Sequence, residues 1–205
     1  MRTVAGLVRV LVDDQTEALP VPLLVTDPEL CPGLNQPCES AALTDDTYVR
    51  GGQYESQSFG AAEDLLVKTA TPSFSRETLL RFDLTGADLQ SGDAAALRMY
   101  AEASPTATLR LQRVDPSWTE GSVTWATKPA TTGDPVGSEL ITERPGWHDV
   151  DVTALVQAAR AEGAGAVSIS VTTSTPTDSN ITFASKERGD GSLRPQLLVA
   201  GKATG

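Results

Sequence analysis

The chain has 205 residues, with 16 basic against 27 acidic side chains and a net charge of −11. That length suits one domain with an arm better than two domains, and 40% hydrophobic residues are enough to bury a core, which sets general disorder aside. The acidity argues against nucleic acid and anionic membranes, which call for a concentrated basic face, and no apolar stretch approaches the roughly 18 to 20 residues of a membrane span.

Residues 1–25 read as two strands. Val8, Val10 and Val12 alternate, Asp13–Ala18 supply a polar turn, and Leu19–Val25 follow. Pro20 and Pro22 confine the second strand to an edge or an extended arm. Arg9 interrupts the first apolar run and no small-residue cleavage site precedes Asp13, so no signal peptide is expected here. Residues 26–44 form a connector holding both cysteines. Cys31 and Cys38 can close a small disulfide loop if the protein matures in an oxidising space. Zinc is disfavoured, since the chain has one histidine and no further cysteine. The domain boundary is expected near Asp45, giving an arm over 1–44 and a main domain over 45–205.

From Asp45 onward the pattern is all-β. Residues 47–49, 64–69, 78–84, 95–103, 107–114, 122–127, 166–173, 180–185 and 196–201 are short, β-rich and bounded by turn signals such as Gly51-Gly52, Thr132-Gly133-Asp134 and Gly189-Asp190-Gly191. In the 166–173 run, Val167, Ile169 and Val171 face one way and Ser168, Ser170 and Thr172 the other, as in a half-buried antiparallel strand. Such a series predicts an antiparallel β-sandwich of the jelly-roll type. One helix is expected near 152–162, where Val152, Leu155, Val156 and Ala159 share a stripe. Asp151 or Thr153 can cap its start and Gly163 can end it.

Catalysis finds little support. His148 is the sole histidine and no G-x-S-x-G phrase occurs. The chain is therefore expected not to be an enzyme. Asp45, Asp46, Glu63, Asp64, Asp149 and Asp151 raise the question of a structural calcium, which wants six to eight hard oxygen ligands. No EF-hand spacing occurs, and Asp46 is the first candidate ligand.

Several phrases stand in order: Asp46-Thr-Tyr48-Val49-Arg50-Gly51-Gly52, Ser58-Phe59-Gly60, Leu66-Val67-Lys68, Arg76-Glu77 through Leu84, and Ala96 through Tyr100. Trp118-Thr119-Glu120 through Trp125, Trp147 through Thr153, Ile181 through Glu187, and Pro195 through Val199 follow. The series resembles the DNRLRE domain, which overlaps carbohydrate-binding module family 96 and the disaggregatase-related repeats, over about residues 45–200. The resemblance implies a non-catalytic β-sandwich of secreted and cell-surface proteins, binding acidic polysaccharide on a basic face. It places Arg50, Lys68 and Arg76 among the binding residues. Carboxylated sugars pair with such groups through charge-assisted hydrogen bonds, bidentate for arginine. Arg76 and Arg81 are as readily solvated strand-face residues paired with Glu77, Asp83 or other carboxylates.

Aromatic rings can stack on the apolar face of a sugar ring. Tyr48 and Tyr54 are the candidates beside the basic residues. Trp118 and Trp125 are expected to be structural, Trp125 because it alternates in phase with Val123, whereas Trp147 is freer to face solvent. Two functions follow as expectations. The first is an extracellular or particle-surface module that binds polysaccharide. The second is a virion structural protein, for head decoration or the tail, whose residues 1–40 pair with other subunits by strand addition; it would explain an export-type domain without a visible signal peptide.

Overall fold

The computed structural model describes residue 34 and residues 38–70, 72–86, 93–103, 106–136, 140–141, 144–174 and 180–200. The chain divides between Leu30 and Cys31 into two units, and every described residue belongs to the second. The strands and arm expected over residues 1–30 lie outside the described residues, as does Cys31.

The elements are β1 (Cys38–Arg50), β2 (Asp64–Val67), β3 (Arg76–Asp83), β4 (Ala95–Ala101), β5 (Ala107–Val114), β6 (Thr131–Val136), β7 (Leu140–Ile141), β8 (Gly146–Asp151), α1 (Thr153–Ala161), β9 (Ala166–Thr173), β10 (Ile181–Ala184) and β11 (Gln196–Ala200). All strand pairs are antiparallel. One sheet is built on β4, with β8 on one side and β11 and β10 on the other. β2 extends it beyond β10, and the start of β1 beyond β11. The other sheet runs β1–β3–β9–β5–β6, with β7 also against β5. β1 belongs to both: Ala41 faces Leu197 in the first sheet, and Ala42 faces Asp83 in the second. A bulge between Leu43 and Asp45 accompanies the change. The result is the antiparallel sandwich expected.

The core forms where period-2 alternation turns apolar side chains inward from both sheets. Leu80 and Phe82 of β3, Ile169 and Val171 of β9, and Leu109 and Leu111 of β5 meet Leu97 and Met99 of β4, Phe183 of β10, and Leu197 and Val199 of β11. α1 adds Leu155, Val156 and Ala159 to this core, as its stripe predicts. The Thr153 N–H donates to Asp151 Oδ1 at 2.9 Å, and Gly163, at φ +73°, ends the helix.

Three expectations change. The strand expected over 47–49 is the end of a longer β1 that begins at Cys38, because its first residues pair with β11 before the strand changes sheets. Cys38, disulfide-bonded, sits opposite Ala200. Residues 122–127 are turns, not a strand. The Val123 N–H donates to Thr119 O and the Thr127 N–H to Thr124 O, while the Ala126 N–H reaches Glu55 O at 2.9 Å. Finally, Ser168 and Ser170 do not face solvent. The segment after β5 folds across this outer face, where Trp118 and Val123 join Val49, Leu79 and Val114 in a second apolar cluster. β9 is thereby buried on both faces.

The sequence reading also missed β6, β7 and β8. The Thr132-Gly133-Asp134 turn signal lies inside β6, a strand whose described partner is β5 alone. Pro135 is tolerated in such an edge strand because its missing N–H breaks no ladder.

Candidate functional site

The end of β1 and the start of β3 bring Arg50 directly opposite Arg76. Lys68, just beyond β2, pairs with Arg76 from the other side through two backbone hydrogen bonds of 3.0 and 2.9 Å. Directly paired residues share a face, so Arg50, Arg76 and Lys68 form a row across three neighbouring segments. The row continues the face that carries Thr78, Leu80 and Phe82 into the core, but stands at the end of β3 where side chains reach water.

Two turns frame the row. Gly51 donates its N–H to Ser75 O at 3.1 Å, and Gly52 has φ +73°. A Cβ at Gly52 would stand 2.6 Å from Ser73 O, so both conformation and space require glycine. This close approach sets the 3-10 turn Gly52–Tyr54 against the turn Pro72–Phe74. The first turn brings Tyr54 beneath Arg50, whose guanidinium carbon lies 3.7 Å from the ring centroid. The second presents Phe74, 55% exposed. Its carbonyl accepts a 2.7 Å hydrogen bond from Arg76 Nη1. Tyr48 is buried and stacks on Phe59 with centroids 4.4 Å apart, forming the wall behind the row rather than an open platform.

The electrostatics are unusual for so acidic a chain. Arg81, Arg98, Arg113 and Arg188 each face a carboxylate. Among the described residues, Arg50 and Arg76 face none. The Nε of each is buried without a hydrogen-bond partner there. Burial holds the Arg76 guanidinium below its ordinary pKa, and the neighbouring Arg50 lowers it further. Burial likewise raises the Tyr48 hydroxyl, against the pull of both arginines. Two adjacent cations without a counter-ion are a standing repulsion that a bound carboxylate would relieve.

The remaining candidates lie elsewhere. Arg81 pairs with Asp45 and donates to the carbonyls of Pro116 and Trp118 at 2.9 and 2.7 Å, holding down the segment over the outer face. Trp118 is buried under that segment, and Trp125 packs at the edge of the same cluster with Lys128 Nζ 4.0 Å from its ring centroid. Asp64 pairs with Arg188, and Asp149 with Arg98.

Asp46 is buried. It accepts hydrogen bonds from the Lys186 N–H at 2.7 Å and Ser185 Oγ at 3.1 Å. Burial pushes its carboxyl up to about 6. Both oxygens thus face hydrogen-bond donors, with the Lys186 ammonium also close by. No group of three or more His, Cys, Asp or Glu among the described residues is placed to hold a metal ion. A cleft of about 480 Å³ opens beside Leu43, Lys186, Arg194 and Gln196. Its Lys186 is already engaged by Glu120 and Glu187.

Of the five expected residues, Arg50, Arg76 and Lys68 share the row and Tyr54 lies against Arg50, while Tyr48, expected as a stacking ring, is buried behind them. Sequence reading passed over two more aromatics, Phe59 and Phe74. Phe74 had a signal: an aromatic in a Pro-Ser turn two residues before the Arg-Glu phrase.

The chain belongs to carbohydrate-binding module family 96, whose family model matches residues 38–201, from the first residue of β1 to just past β11. Among solved structures it is similar to the CBM22-1–GH10 modules of the Clostridium thermocellum endo-1,4-β-D-xylanase 10B, determined with xylohexaose. That likeness has 9% identity and a TM-score of 0.35, covering 81% of this chain and 29% of that one, so this chain spans less than a third of that structure's length. No curated protein matches the chain in sequence.

Proposed function

We propose that this module binds an acidic polysaccharide without acting on it chemically, through the row Arg50–Arg76–Lys68. The observation that carries the reading is the directly opposed Arg50 and Arg76, which face no carboxylate among the described residues. Each guanidinium offers a planar fork of donors to a sugar carboxylate. Tyr54 and Phe74 flank the row with rings suited to the C–H face of a pyranose. The net charge of −11 is a smaller obstacle than it looks, because at physiological salt charges beyond about 8 Å are largely screened. An extracellular or particle-surface setting belongs to the same proposal, and the disulfide at Cys38 supports it, since such bonds persist in oxidising spaces.

The test is calorimetric titration with polygalacturonate and alginate, at low and high salt, of the wild type and of Arg50→Gln/Arg76→Gln. Binding that weakens with salt and falls at least tenfold in the double variant is expected. Silence at millimolar uronate, or binding indifferent to the double variant, would overturn the reading.

A further inference from the structure

A second cluster lies on the outer face of the other sheet, on the strands β4 and β8. Tyr100 stands directly opposite Trp147, and Arg98 directly opposite Asp149. The two rings meet edge-on, with centroids 5.5 Å apart at 79°. The Arg98 guanidinium carbon lies 4.8 Å from the Trp147 ring centroid. Gln196 of β11 faces Arg98 from the other side, so Gln196, Arg98 and Asp149 form a polar row across three strands beside the aromatic pair. The registers put all five side chains on one face, opposite to that of Leu97, Met99 and Val150, which point into the core.

Two features distinguish this cluster from the Arg50–Arg76 row. Its charge is balanced, since Arg98 faces Asp149. Its hydrogen-bonding capacity is also unspent. Arg98 Nε and Asp149 Oδ1 are 3.7 Å apart, an ion pair too long for a hydrogen bond, and Oδ1 is buried without a hydrogen-bond partner among the described residues. Among the described residues the Trp147 indole N–H likewise has no acceptor, though the side chain is only half buried. A large ring at the surface, an indole donor, a guanidinium and a carboxylate thus lie side by side with no net charge between them. Sugar hydroxyls, which donate and accept together, satisfy such a set, and the ring takes the apolar face of a pyranose. A carboxylated sugar finds no free cation there.

We infer that Trp147, Tyr100, Arg98, Asp149 and Gln196 form a second glycan site, selective for neutral pyranose chains and separate from the Arg50–Arg76 row. The module would then hold two chemically different polysaccharides on different surfaces.

The experiment follows the three tryptophan indole N–H signals of the ¹⁵N-labelled full chain by NMR during titration with cellohexaose, mannohexaose and, separately, oligogalacturonate. The Trp147 signal, assigned by its loss in Trp147→Phe, should move with at least one neutral hexasaccharide and stay still with oligogalacturonate, while those of Trp118 and Trp125 stay still with all three. Trp147→Ala should weaken the neutral sugar at least tenfold and leave uronate binding intact. A Trp147 signal unmoved by both neutral sugars, or moved by the uronate instead, would overturn the inference. So would equal loss of neutral and uronate binding in Trp147→Ala, which marks a structural role. The wild-type titration decides the matter even if the alanine variant fails to fold. Uronate binding tests the other row independently.

Discussion

The Trp118 indole N–H donates to Ser168 Oγ at 2.7 Å, and that hydroxyl in turn donates to Leu80 O at 3.2 Å. One side chain from the segment after β5 is thereby fastened to the middle of the second sheet, and the outer face of β9 is closed to water. Trp118→Ala should cost about 3–5 kcal/mol by opening the second apolar cluster. Trp118→Phe, which keeps most of the packing but leaves the indole's acceptor without that donor, should cost about 1–2 kcal/mol. Urea denaturation of the two variants checks both. A shift in neither would mean that the segment is not held through Trp118.

The opposition of Arg50 and Arg76 sets stability against binding. Arg50 stacks on Tyr54 but makes no ion pair among the described residues, and removing its charge relieves Arg76. Arg50→Gln should therefore change unfolding free energy by less than about 1 kcal/mol, within the range of ordinary surface substitutions, while lowering uronate affinity about tenfold. Denaturation and titration of one sample measure both. A large stability loss with unchanged affinity would make Arg50 a structural residue.

Asp46 makes stability depend on pH in an unusual direction for a carboxylate. Its folded pKa, raised mainly by burial to about 6, stands above the ordinary 3.8. Between those values the native state binds the proton more tightly than the unfolded chain does. The contribution of Asp46 is thus fully present below about pH 4 and is lost as pH rises through 6. The span corresponds to about 3 kcal/mol. Asp46→Asn removes the titrating group and should flatten that part of the curve relative to wild type. Urea midpoints at pH 4.5, 5.5 and 7 give the comparison, and parallel curves for the two proteins would show that Asp46 does not titrate there.

Gly60 lies where a turn meets the segment over the second sheet. A Cβ there would stand 2.3 Å from Glu120 O, which also accepts from Ser58 Oγ at 2.8 Å. Glu120 Oε2 accepts the Asp46 N–H at 3.2 Å. Gly60→Ala must move this backbone and should cost about 1–3 kcal/mol. Gly52→Ala adds left-handed strain of about 1–2 kcal/mol to a similar clash, and should weaken uronate binding as well because it displaces the turn carrying Tyr54. Thermal melts combined with titration separate the two variants. Unchanged binding in a folded Gly52→Ala protein would detach the turn from the site.

Much of the sandwich was legible in the chain. Val167, Ile169 and Val171 in β9, and Val152, Leu155, Val156 and Ala159 around α1, declare their buried faces by spacing alone, because a buried stripe must repeat with the period of its element. The Arg-Glu, Tyr-Val-Arg-Gly-Gly and Leu-Val-Lys phrases marked the residues of the cationic row. Their meeting was not legible, since it depends on β1 and β3 pairing in one register and on Lys68 bridging to Arg76. The covering of Ser168 and Ser170 was equally hidden. Those serines look like the solvent side of a strand until Trp118 and Val123, some fifty residues away in the chain, fold over them.

Composition underwent the largest change of meaning. By itself the sequence determined an acidic, lysine-poor all-β chain with one helix, and hence a poor partner for polyanions in bulk. Only the tertiary structure decided where the charge is spent. Carboxylates reach Arg81, Arg98, Arg113, Arg188, Lys128 and Lys186, while none among the described residues reaches Arg50 or Arg76. The reason is physical: net charge sums over the whole chain, whereas a carboxylate on a ligand responds to the few groups within a screening length of it.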